Sequence, residues 1–490
     1  MLNNQTTIFE MLYPTFKITK PIRLIELFAG YGSQALALKY LGVDFEHWKI
    51  CEWAVKSIQA YKDIHFTNES AILVGYNRER EIQYLHKKGI SSNYNKPMTL
   101  EQIKRLSDKQ IYQITENILL TNNLVNIEKV KGKDLDIKDT DKYCYIMTYS
   151  FPCQDLSLAG LGKGMSDTST RSGLLWEVER ILTECKELGT LPQVLLMENV
   201  PQVHGVDNVE DFNKWQFRLE ELGYKNYWQD LIATDYGIPQ TRNRTFMVSI
   251  LGDYNYTFPK PIPLKLKLKD MLEDKVDEKY FISEALTKYI TKNNEIKPKN
   301  NFNVIDSYNK KLTNENYSGC IVSGQGRNQG SMIMYKQIIP YGSYYTWEDL
   351  QGNINTQCCR AADENRNALT VACANPGNVL IKNATKKGYL EATEGDCIDL
   401  CQPNSTTRRG RVQKDKTQTL STMGGKHLGV VKDLKIRKIT PRECFRLMGV
   451  KDEDFDKVKK NQSDNSLYHL AGDSIVVNVL MAIFKEMLGE

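Results

Sequence analysis

The sequence predicts an α/β protein whose larger part is a Rossmann-like, mostly parallel sheet and whose smaller part is rich in β-structure. From Ile22 to about Ile250, short β-forming runs alternate with longer helical stretches, as in a chain of βαβ units. After the proline-rich segment 258–263, Asn, Gly, Thr and Ser dominate, and helical periodicity returns only at about Lys435. The expected regions are, in order, 1–262, 263–431 and 432–490.

A helical insertion is expected inside the first region. Residues 68–130 are rich in Lys and Asn and interrupt the alternation of β runs and helices. Within them, 100–106 and 111–120 have helical periodicity. The sequence leaves the function of this insertion open.

The last region contains a clear helix start. Thr440 is a natural N-cap and Pro441 suits the first turn. Glu443, three residues after the threonine, completes a capping box. We therefore expect a helix from about Pro441.

The composition indicates a cytoplasmic protein with reduced thiols. The 490-residue chain carries a net charge of +5, which permits a polyanionic partner without requiring one. Its 11 cysteines have irregular spacings, and its first residues lack the basic and apolar regions of a signal peptide. The most apolar late stretch, 475–484, is interrupted by Asn478 and is far shorter than the roughly 20 residues that span a bilayer. We expect no membrane segment.

A glycine-bearing turn between the first β run and the first helix is a candidate binding site. Its residues are Phe28, Ala29, Gly30, Tyr31 and Gly32. Glycine lets backbone approach a ligand closely, although such a turn also occurs as a tight connection without a ligand. Glu52 follows the second β run, where an acidic residue suits the ribose hydroxyls of an adenosine. Trp53 could stack on an adenine or lie in the core.

A cysteine is displayed in a proline-containing turn at the end of another β run. Cys153 lies in Phe151-Pro152-Cys153-Gln154, just after the run 145–149. This is where an α/β enzyme holds a nucleophile, and an ordinary buried thiol is the alternative.

A carboxylate and two guanidinium groups accompany two further β runs. Glu198 follows the apolar run 194–196, and Arg242 and Arg244 precede the run 246–250. Glu198 could donate a proton to a substrate or form a structural ion pair with either arginine. Thiol, carboxylate and guanidinium together indicate chemistry on a flat, nitrogen-rich substrate.

The ordered set of motifs resembles that of the C5-cytosine DNA methyltransferases of bacteria and phages over nearly the whole chain. The matching segments are Phe28–Gly32, Glu52–Trp53, Phe151–Gln154, Glu198–Val200, Gln240–Arg244, Pro441–Gly449 and Gly472–Asn478.

This resemblance implies an S-adenosylmethionine-dependent methyltransferase fold whose C-terminal segment returns to the large lobe. The cofactor-binding residues that it implies are Phe28, Ala29, Gly30, Tyr31, Gly32, Glu52, Trp53, Asp134, Leu135, Pro152, Leu174, Asp473, Ser474 and Ile475. Among them, Asp134 resembles the acidic residue that meets the adenine amino group. Asp473 stands where the family often has asparagine, and an ionised carboxylate cannot donate a hydrogen bond as an amide does.

The resemblance also implies the reaction. Cytosine C5 is too weak a nucleophile to attack a methyl sulfonium directly, so the Cys153 thiolate adds to C6 while Glu198 protonates N3. Arg244 is expected on the cytosine O2, and Arg242 is expected to support the catalytic loop. The base leaves the duplex first, because C5 and C6 are inaccessible in stacked DNA. The expected substrate-binding residues are Phe151, Pro152 and Gln240.

Region 263–431 lies where the family keeps its target recognition domain, so we expect it to read a short duplex DNA sequence. Arginine can pair with guanine edges or phosphates. The candidate base readers are Arg360, Arg366, Arg408, Arg409 and Arg411. We expect no metal site, because the cysteines of this region form no Cys-x-x-Cys pair.

Two other functions compete with this interpretation. An RNA cytosine methyltransferase is disfavoured by the large separate recognition region, and a catalytically silent DNA-binding protein is disfavoured by intact Cys153, Glu198 and Arg244. The expected setting is restriction–modification, a phage or a mobile element. There, a cognate restriction endonuclease would be a genetic rather than a physical partner of a monomeric enzyme.

Overall fold

The chain forms two compact units. The larger unit comprises Met1–Ile238, Arg242–Lys265 and Phe445–Glu490, and the smaller unit comprises Pro239–Thr241 and Leu266–Cys444. The computed structural model describes residues 13–152, 172–281 and 435–489, together with the intervening segments 302–306, 311–313, 331–335, 346–348, 354–356, 379–385, 387–393, 395–401, 405, 407–420 and 428–432.

A six-stranded mixed sheet lies at the centre of the larger unit. Its strands are β1 (Ile22–Leu27), β2 (Phe45–Cys51), β3 (Cys144–Tyr149), β4 (Val194–Asn199), β5 (Tyr224–Ile232) and β6 (Asn243–Leu251). Their order is β2-β1-β3-β4-β6-β5, with β1 to β4 parallel and β6 antiparallel to both β4 and β5. Strands β1, β3 and β4 are buried along their whole length, as expected for apolar parallel strands covered on both faces. The predicted α/β class is confirmed.

Helices follow the strands as the βαβ pattern predicts. Those in the first part of the larger unit are α1 (Ser33–Leu41), α2 (Val55–His65), α3 (Arg78–Lys88), α4 (Leu100–Lys104), α5 (Asp108–Leu120), α6 (Leu175–Glu187) and α7 (Val209–Leu222). The main apolar core includes Tyr149, Phe151 and Trp215, all almost fully buried. The Trp215 indole N–H donates to the Tyr149 hydroxyl at 3.1 Å, which satisfies its polar group inside that core.

Helices α3, α4 and α5 lie in the segment 68–130 and have an apolar cluster of their own. Thr99 and Ser107 each begin a helix with a complete capping box. The cluster also includes Ile58 of α2. Ser91 N donates to Trp53 O at 2.7 Å and Ser91 O accepts from Val55 N at 2.9 Å, so this segment is fixed to the chain just after β2.

The smaller unit is rich in β-structure, as predicted. Its described strands are β7 (Phe302–Asp306), β8 (Lys311–Thr313), β9 (Ser331–Tyr335), β10 (Thr346–Glu348), β11 (Ile354–Thr356), β12 (Val379–Lys382), β13 (Tyr389–Ala392), β14 (Cys397–Asp399), β15 (Val412–Gln413), β16 (Leu428–Lys432) and β17 (Lys435–Lys438). All of the pairs among these described strands are antiparallel.

The C-terminal helices are α8 (Pro441–Arg446), α9 (Asp452–Lys459), α10 (Asp464–Asp473) and α11 (Val477–Leu488). The stretch Asp464–Leu488 is long and apolar enough to cross a membrane by length and composition alone. However, 72% of its apolar window is buried within the protein, and extended residues at Ser474 and Val476 separate α10 from α11. Mostly buried helices of soluble proteins have the same properties, so this stretch is weak support for a membrane span.

Candidate active site

Most of the predicted site residues meet at one edge of the central sheet. The chain leaves β1, β2, β3 and β4 at this edge because these strands are parallel. Strand β6 is antiparallel to β4 and pairs Thr245 with Asn199, so the first residues of β6 lie at the same edge. The sheet topology therefore brings together side chains that are far apart in sequence.

Glu198, near the end of β4, is held by two polar groups. Ser150 Oγ donates to Glu198 Oε2 at 2.5 Å, and Arg244 Nε lies 3.1 Å from Glu198 Oε1. The carboxylate is almost fully buried, and the Arg244 side chain is only 15% exposed. These contacts stabilise Glu198, because burying a carboxylate without a partner costs free energy of folding. Of the two candidate ion pairs, the one with Arg244 is seen among the described contacts.

The turn that leads to Cys153 is fixed to the end of β4. Asn199 Nδ2 donates to Phe151 O at 3.1 Å, while Asn199 Oδ1 accepts from Val200 N at 2.8 Å. Phe151 is buried and Pro152 is half-buried. Cys153 follows directly and lies outside the described residues, as does the rest of 153–171.

Arg242 contacts the last of the sequence motifs. Its Nη2 donates to Gly472 O at 3.2 Å and to Ser474 O at 2.7 Å, and the residue is 4% exposed. These carbonyls belong to the C-terminal end of α10 and the residue after it. Arg242 thus joins the start of β6 to 472–475. The catalytic loop that it was expected to support lies outside the described residues.

The first turn and Glu52 form one hydrogen-bonded unit. Phe28 and Gly30 both have positive φ angles, of 58° and 57°. Gly30 N donates to Glu52 Oε2 at 3.0 Å, and Ala54 N donates to Oε1 at 2.7 Å. Burial raises the pKa of Glu52 to about 7, with a smaller upward contribution from the charge of Asp473. A Cβ added to Gly30 would lie 4.0 Å from the hydroxyl of Ser474, so the first turn and the last motif are neighbours.

Gly32 and Tyr31 show why this turn has its sequence. Gly32 has a φ of 83°, and a Cβ there would lie 2.4 Å from His65 Nε2 and 2.7 Å from the Tyr61 ring. Tyr31 is fully buried, with its ring stacked on Phe445 at 5.3 Å between centroids. Tyr31 therefore contributes to packing beneath the turn, whereas its backbone forms part of the turn itself.

The remaining predicted cofactor residues differ in exposure. Trp53 is half-buried and packs against the apolar cluster of the insertion, and Leu174 is half-buried against the main core.

Asp134 is half-buried and its Oδ2 accepts from Lys131 N at 2.9 Å. Leu135 is fully buried and its carbonyl accepts from the Trp48 indole at 2.9 Å. Ile475 is buried and lines a small cavity beside both Arg242 and Arg244.

Gln240 belongs to the smaller unit. It is fully buried, and its Oε1 accepts from Leu420 N at 3.1 Å. The neighbouring Thr241 N donates to Thr417 O at 2.8 Å. These bonds fix the segment 417–420 to the residues just before β6, a structural role that the sequence pattern did not indicate.

The structure corrects one candidate base reader. Arg411 is fully buried and Nη1 donates to Asp399 O at 3.4 Å and Cys401 O at 3.3 Å, so it holds a loop and is not free to reach a base. Arg408 pairs with the Asp399 carboxylate, and Arg409 is exposed. Arg360 and Arg366 lie outside the described residues. Within the described part of the chain, no group of three or more His, Cys, Asp or Glu side chains is arranged to hold a metal ion.

Ser150 and Asn199 are the site residues that sequence reasoning missed. Both were visible as polar residues at the ends of buried β runs, beside Phe151 and Glu198 respectively. A polar side chain at the carboxyl end of a parallel strand is a signal for a functional role. Only the structure shows that Ser150 reaches the carboxylate and that Asn199 holds the turn.

Known proteins are similar in sequence to this chain over most of its length. The model of the C-5 cytosine-specific DNA methylase family matches residues 99–489. The Type II methyltransferase M2.ScrFI of Lactococcus lactis subsp. cremoris is 30% identical over 468 residues, covering 95% of this chain and 99% of that protein. The orphan methyltransferase M.SssI of Spiroplasma monobiae is 37% identical over 280 residues, covering 56% of this chain and 70% of that protein. The orphan methyltransferase M.SPRI of Bacillus phage SPR is 24% identical over 506 residues, covering 95% of this chain and 97% of that protein.

Proposed function

Because this chain belongs to the C-5 cytosine-specific DNA methylase family and transfers a methyl group from S-adenosylmethionine to C5 of cytosine in DNA, we propose that Cys153, Glu198 and Arg244 carry out the reaction. The observation that carries this assignment is the contact of Glu198 with Ser150 and Arg244 at the sheet edge where Phe151 and Pro152 lead to the cysteine. These two partners hold the buried carboxylate in a fixed direction, which suits a hydrogen bond to the edge of a flat base.

The Cys153 thiolate adds to C6 of the cytosine and gives C5 enamine character. Glu198 hydrogen-bonds and protonates N3, so that negative charge does not accumulate on the ring. Arg244 donates to the cytosine O2 while it holds the Glu198 carboxylate. After the methyl group reaches C5, the C5 proton passes to water, the electron pair of that bond expels the Cys153 thiolate, and the N3 proton returns to Glu198, which restores the aromatic ring. The target base is flipped out of the duplex beforehand, because the stack covers both faces of C5 and C6.

The cofactor site fits the turn 28–32, Glu52 and 472–475. S-adenosylmethionine supplies the electrophilic methyl group when it is bound there. The close approach of Gly30 to Ser474 and the acceptor oxygens of Glu52 support this position, since an adenosine offers ribose hydroxyls as donors. Arg242 holds the last motif in place through the carbonyls of Gly472 and Ser474.

Residues 263–431 serve as the target recognition domain, and 1–262 with 432–490 as the catalytic lobe. The β-rich architecture of the smaller unit supports this division of labour, since it presents many loops on antiparallel strands. Exchange of 263–431 with the equivalent region of a relative should transfer the target sequence and leave the chemistry intact. Retention of the original target would reject this assignment.

The setting is restriction–modification or the DNA of a phage or mobile element. Relatives named as Type II methyltransferases and as a phage orphan methyltransferase support it. A cognate restriction endonuclease is then a genetic partner, and the enzyme acts in the cytoplasm as a monomer on duplex DNA. Purified tRNA methylated faster than duplex DNA would favour the competing RNA substrate.

Bisulfite sequencing of plasmid DNA from cells that express the wild type or Cys153→Ala tests the proposed function. Protected cytosines in one recurrent sequence, absent with the variant, are the expected result. Protection that persists with Cys153→Ala would exclude the assigned nucleophile. Soluble wild-type protein without any protected cytosine would contradict the DNA substrate.

A further inference from the structure

We propose that Tyr94 and His469 are positioning residues that hold the Asp473 carboxylate for the ammonium group at the methionine end of S-adenosylmethionine. The proposal rests on the assignment of 472–475 to the cofactor site above. It gives the helical insertion 68–130 a role in cofactor binding and gives a reason for the aspartate that replaces the family's usual asparagine.

Asp473 and His469 form an ion pair on one face of α10. His469 Nδ1 lies 2.8 Å from Asp473 Oδ2, one helical turn away. A carboxylate in the last turn of a helix is opposed by the helix dipole, whereas a cation there is favoured, so the histidine offsets an unfavourable position for Asp473. Burial alone would lower the pKa of His469, but the hydrogen bond and charge of Asp473 together with the charge of Glu52 raise it. An asparagine at position 473 could not form this charged pair.

Tyr94 of the insertion packs face to face on His469. The ring centroids are 4.1 Å apart and the planes differ by 14°. Tyr94 has a φ of 62°, a left-handed conformation that is uncommon for a bulky residue and persists where the surroundings enforce it. The Ser57 hydroxyl donates to the Tyr94 hydroxyl at 3.4 Å, which ties the ring to α2 as well. The histidine is thereby fixed between its own helix and the insertion.

This cluster lies beside the expected cofactor site. Asp473 directly precedes Ser474, and Tyr94 packs on His469, the ion-pair partner of Asp473. Glu52 accepts from Gly30 in the first turn, and Gly30 is next to Ser474. Glu52 is assigned to the ribose hydroxyls, which leaves the Asp473 carboxylate to meet the positively charged ammonium group. His469 Nδ1 lies 2.8 Å from Oδ2 of Asp473, and we assign Oδ1 to the ammonium group.

Calorimetric titration of the full-length protein with S-adenosylmethionine tests this inference, combined with methyl-transfer kinetics. Tyr94→Ala and His469→Ala should each raise Kd and KM for the cofactor about tenfold, a loss expected for one partly buried charged contact. The kcat at saturating cofactor should stay within about twofold of the wild type, because neither side chain touches the reacting atoms. Tyr94→Phe keeps the ring stacked on His469 and loses only the 3.4 Å contact with Ser57, so its Kd should stay within about twofold of the wild type.

A double-mutant cycle separates positioning from general damage to the fold. The Tyr94→Ala/His469→Ala protein should bind little worse than either single variant, because both changes release the same carboxylate. Asp473→Asn should weaken binding by a similar factor, and Tyr94→Ala in that background should then cost nothing further. Tyr76→Ala is the matched control, since it removes another aromatic pair of the insertion, that with Tyr112 at 5.6 Å, away from this cluster.

Several outcomes would overturn the inference. These are wild-type Kd values for Tyr94→Ala and His469→Ala, fully additive losses in the double variant, a fall in kcat without a change in KM, or equal weakening by Tyr76→Ala. Failure of the proposed function is distinguishable, because the wild type itself would then neither bind S-adenosylmethionine nor methylate DNA.

Discussion

Glu198 Oε1 lies 3.1 Å from Arg244 Nε, which joins the end of one buried strand to the start of its antiparallel neighbour. The same carboxylate accepts from Ser150 at its other oxygen. Each carboxylate oxygen thus has a donor that fixes it before any substrate arrives. Fixed partners of this kind reduce the reorganisation needed when a base is bound.

Removal of the Ser150 hydroxyl should slow the reaction without unfolding the protein. Ser150→Ala leaves Arg244 as a partner of Glu198, so we expect kcat to fall about tenfold, the value of one hydrogen bond to a charged group. The measurement is methyl transfer to duplex DNA at saturating cofactor. Ser249→Ala is the control, because the buried Ser249 hydroxyl has no hydrogen-bond partner within the described part of the chain. Equal rates for both variants would show that the Ser150 contact is dispensable.

The two arginines that flank Asn243 should respond differently to substitution. Arg242→Ala leaves the carbonyls of Gly472 and Ser474 without this donor in a buried place, and should lower the free energy of unfolding by about 2–4 kcal/mol. Arg244→Lys, which keeps a cation beside the buried Glu198 carboxylate, should instead remove most activity at a smaller cost in stability. Urea unfolding followed by fluorescence, together with methyl-transfer rates, checks this contrast. Equal stability of the two variants would count against the structural role of Arg242.

Gly32 should be far less tolerant of a side chain than Gly42. Both have positive φ angles, of 83° and 72°, so alanine is strained at either position by about 1 kcal/mol. Only at Gly32 would the new Cβ meet His65 and Tyr61, whereas nothing lies within 4 Å at Gly42. Gly32→Ala should therefore lower Tm and cofactor affinity much more than Gly42→Ala. Similar losses in differential scanning fluorimetry would indicate that the turn can relax.

Glu26, beneath the first helix, should make stability depend on pH. Burial raises its pKa from 4.5 to about 7, although donors such as Tyr61 oppose this shift. Because the folded protein binds this proton more tightly than the unfolded chain, the stabilisation is complete below pH 4.5 and is lost as pH rises to about 7. We expect this loss to be about 3 kcal/mol at most, by the usual conversion of pKa shifts into free energy.

The variant Glu26→Gln isolates that effect. Its free energy of unfolding should fall less than that of the wild type as pH rises through this window, in denaturant titrations at a series of pH values. Glu453→Gln, at an exposed carboxyl group, should follow the wild type. Identical pH profiles for the wild type and Glu26→Gln would show that Glu26 does not bind a proton in this range.

Local features of the fold followed directly from the sequence. The capping box at Thr440 forms as predicted, with Glu443 N donating to Thr440 Oγ1 at 3.2 Å and Thr440 N donating to Glu443 Oε2 at 2.8 Å. Its geometry depends on residues only three positions apart. Glu52 could likewise be placed near the first turn, because parallel strands align their carboxyl ends.

Contacts between distant segments could not be read in this way. Arg242 finds its acceptors about 230 positions later in sequence, and nothing in a Gln-x-Arg-x-Arg pattern specifies them. Arg411 is of the residue type that commonly reads bases, yet it is buried and donates hydrogen bonds to loop carbonyls. Sequence gives the side chain's chemistry, whereas its direction depends on tertiary packing. The stacking of Tyr94 on His469 is another contact of this kind.

Covalent trapping tests the central claim most directly. A duplex with 5-fluorocytosine at the methylated position should form an adduct that survives denaturation, because fluorine cannot leave C5 as a proton does and Cys153 stays bonded to C6. Mass spectrometry of the wild-type reaction should show one species whose mass is the sum of the protein, the DNA and one methyl group. After proteolysis, the DNA should be attached to the peptide that contains Cys153. The adduct should be absent with Cys153→Ala. An active wild-type enzyme that forms no adduct, or an adduct that persists in the variant, would contradict the assigned mechanism.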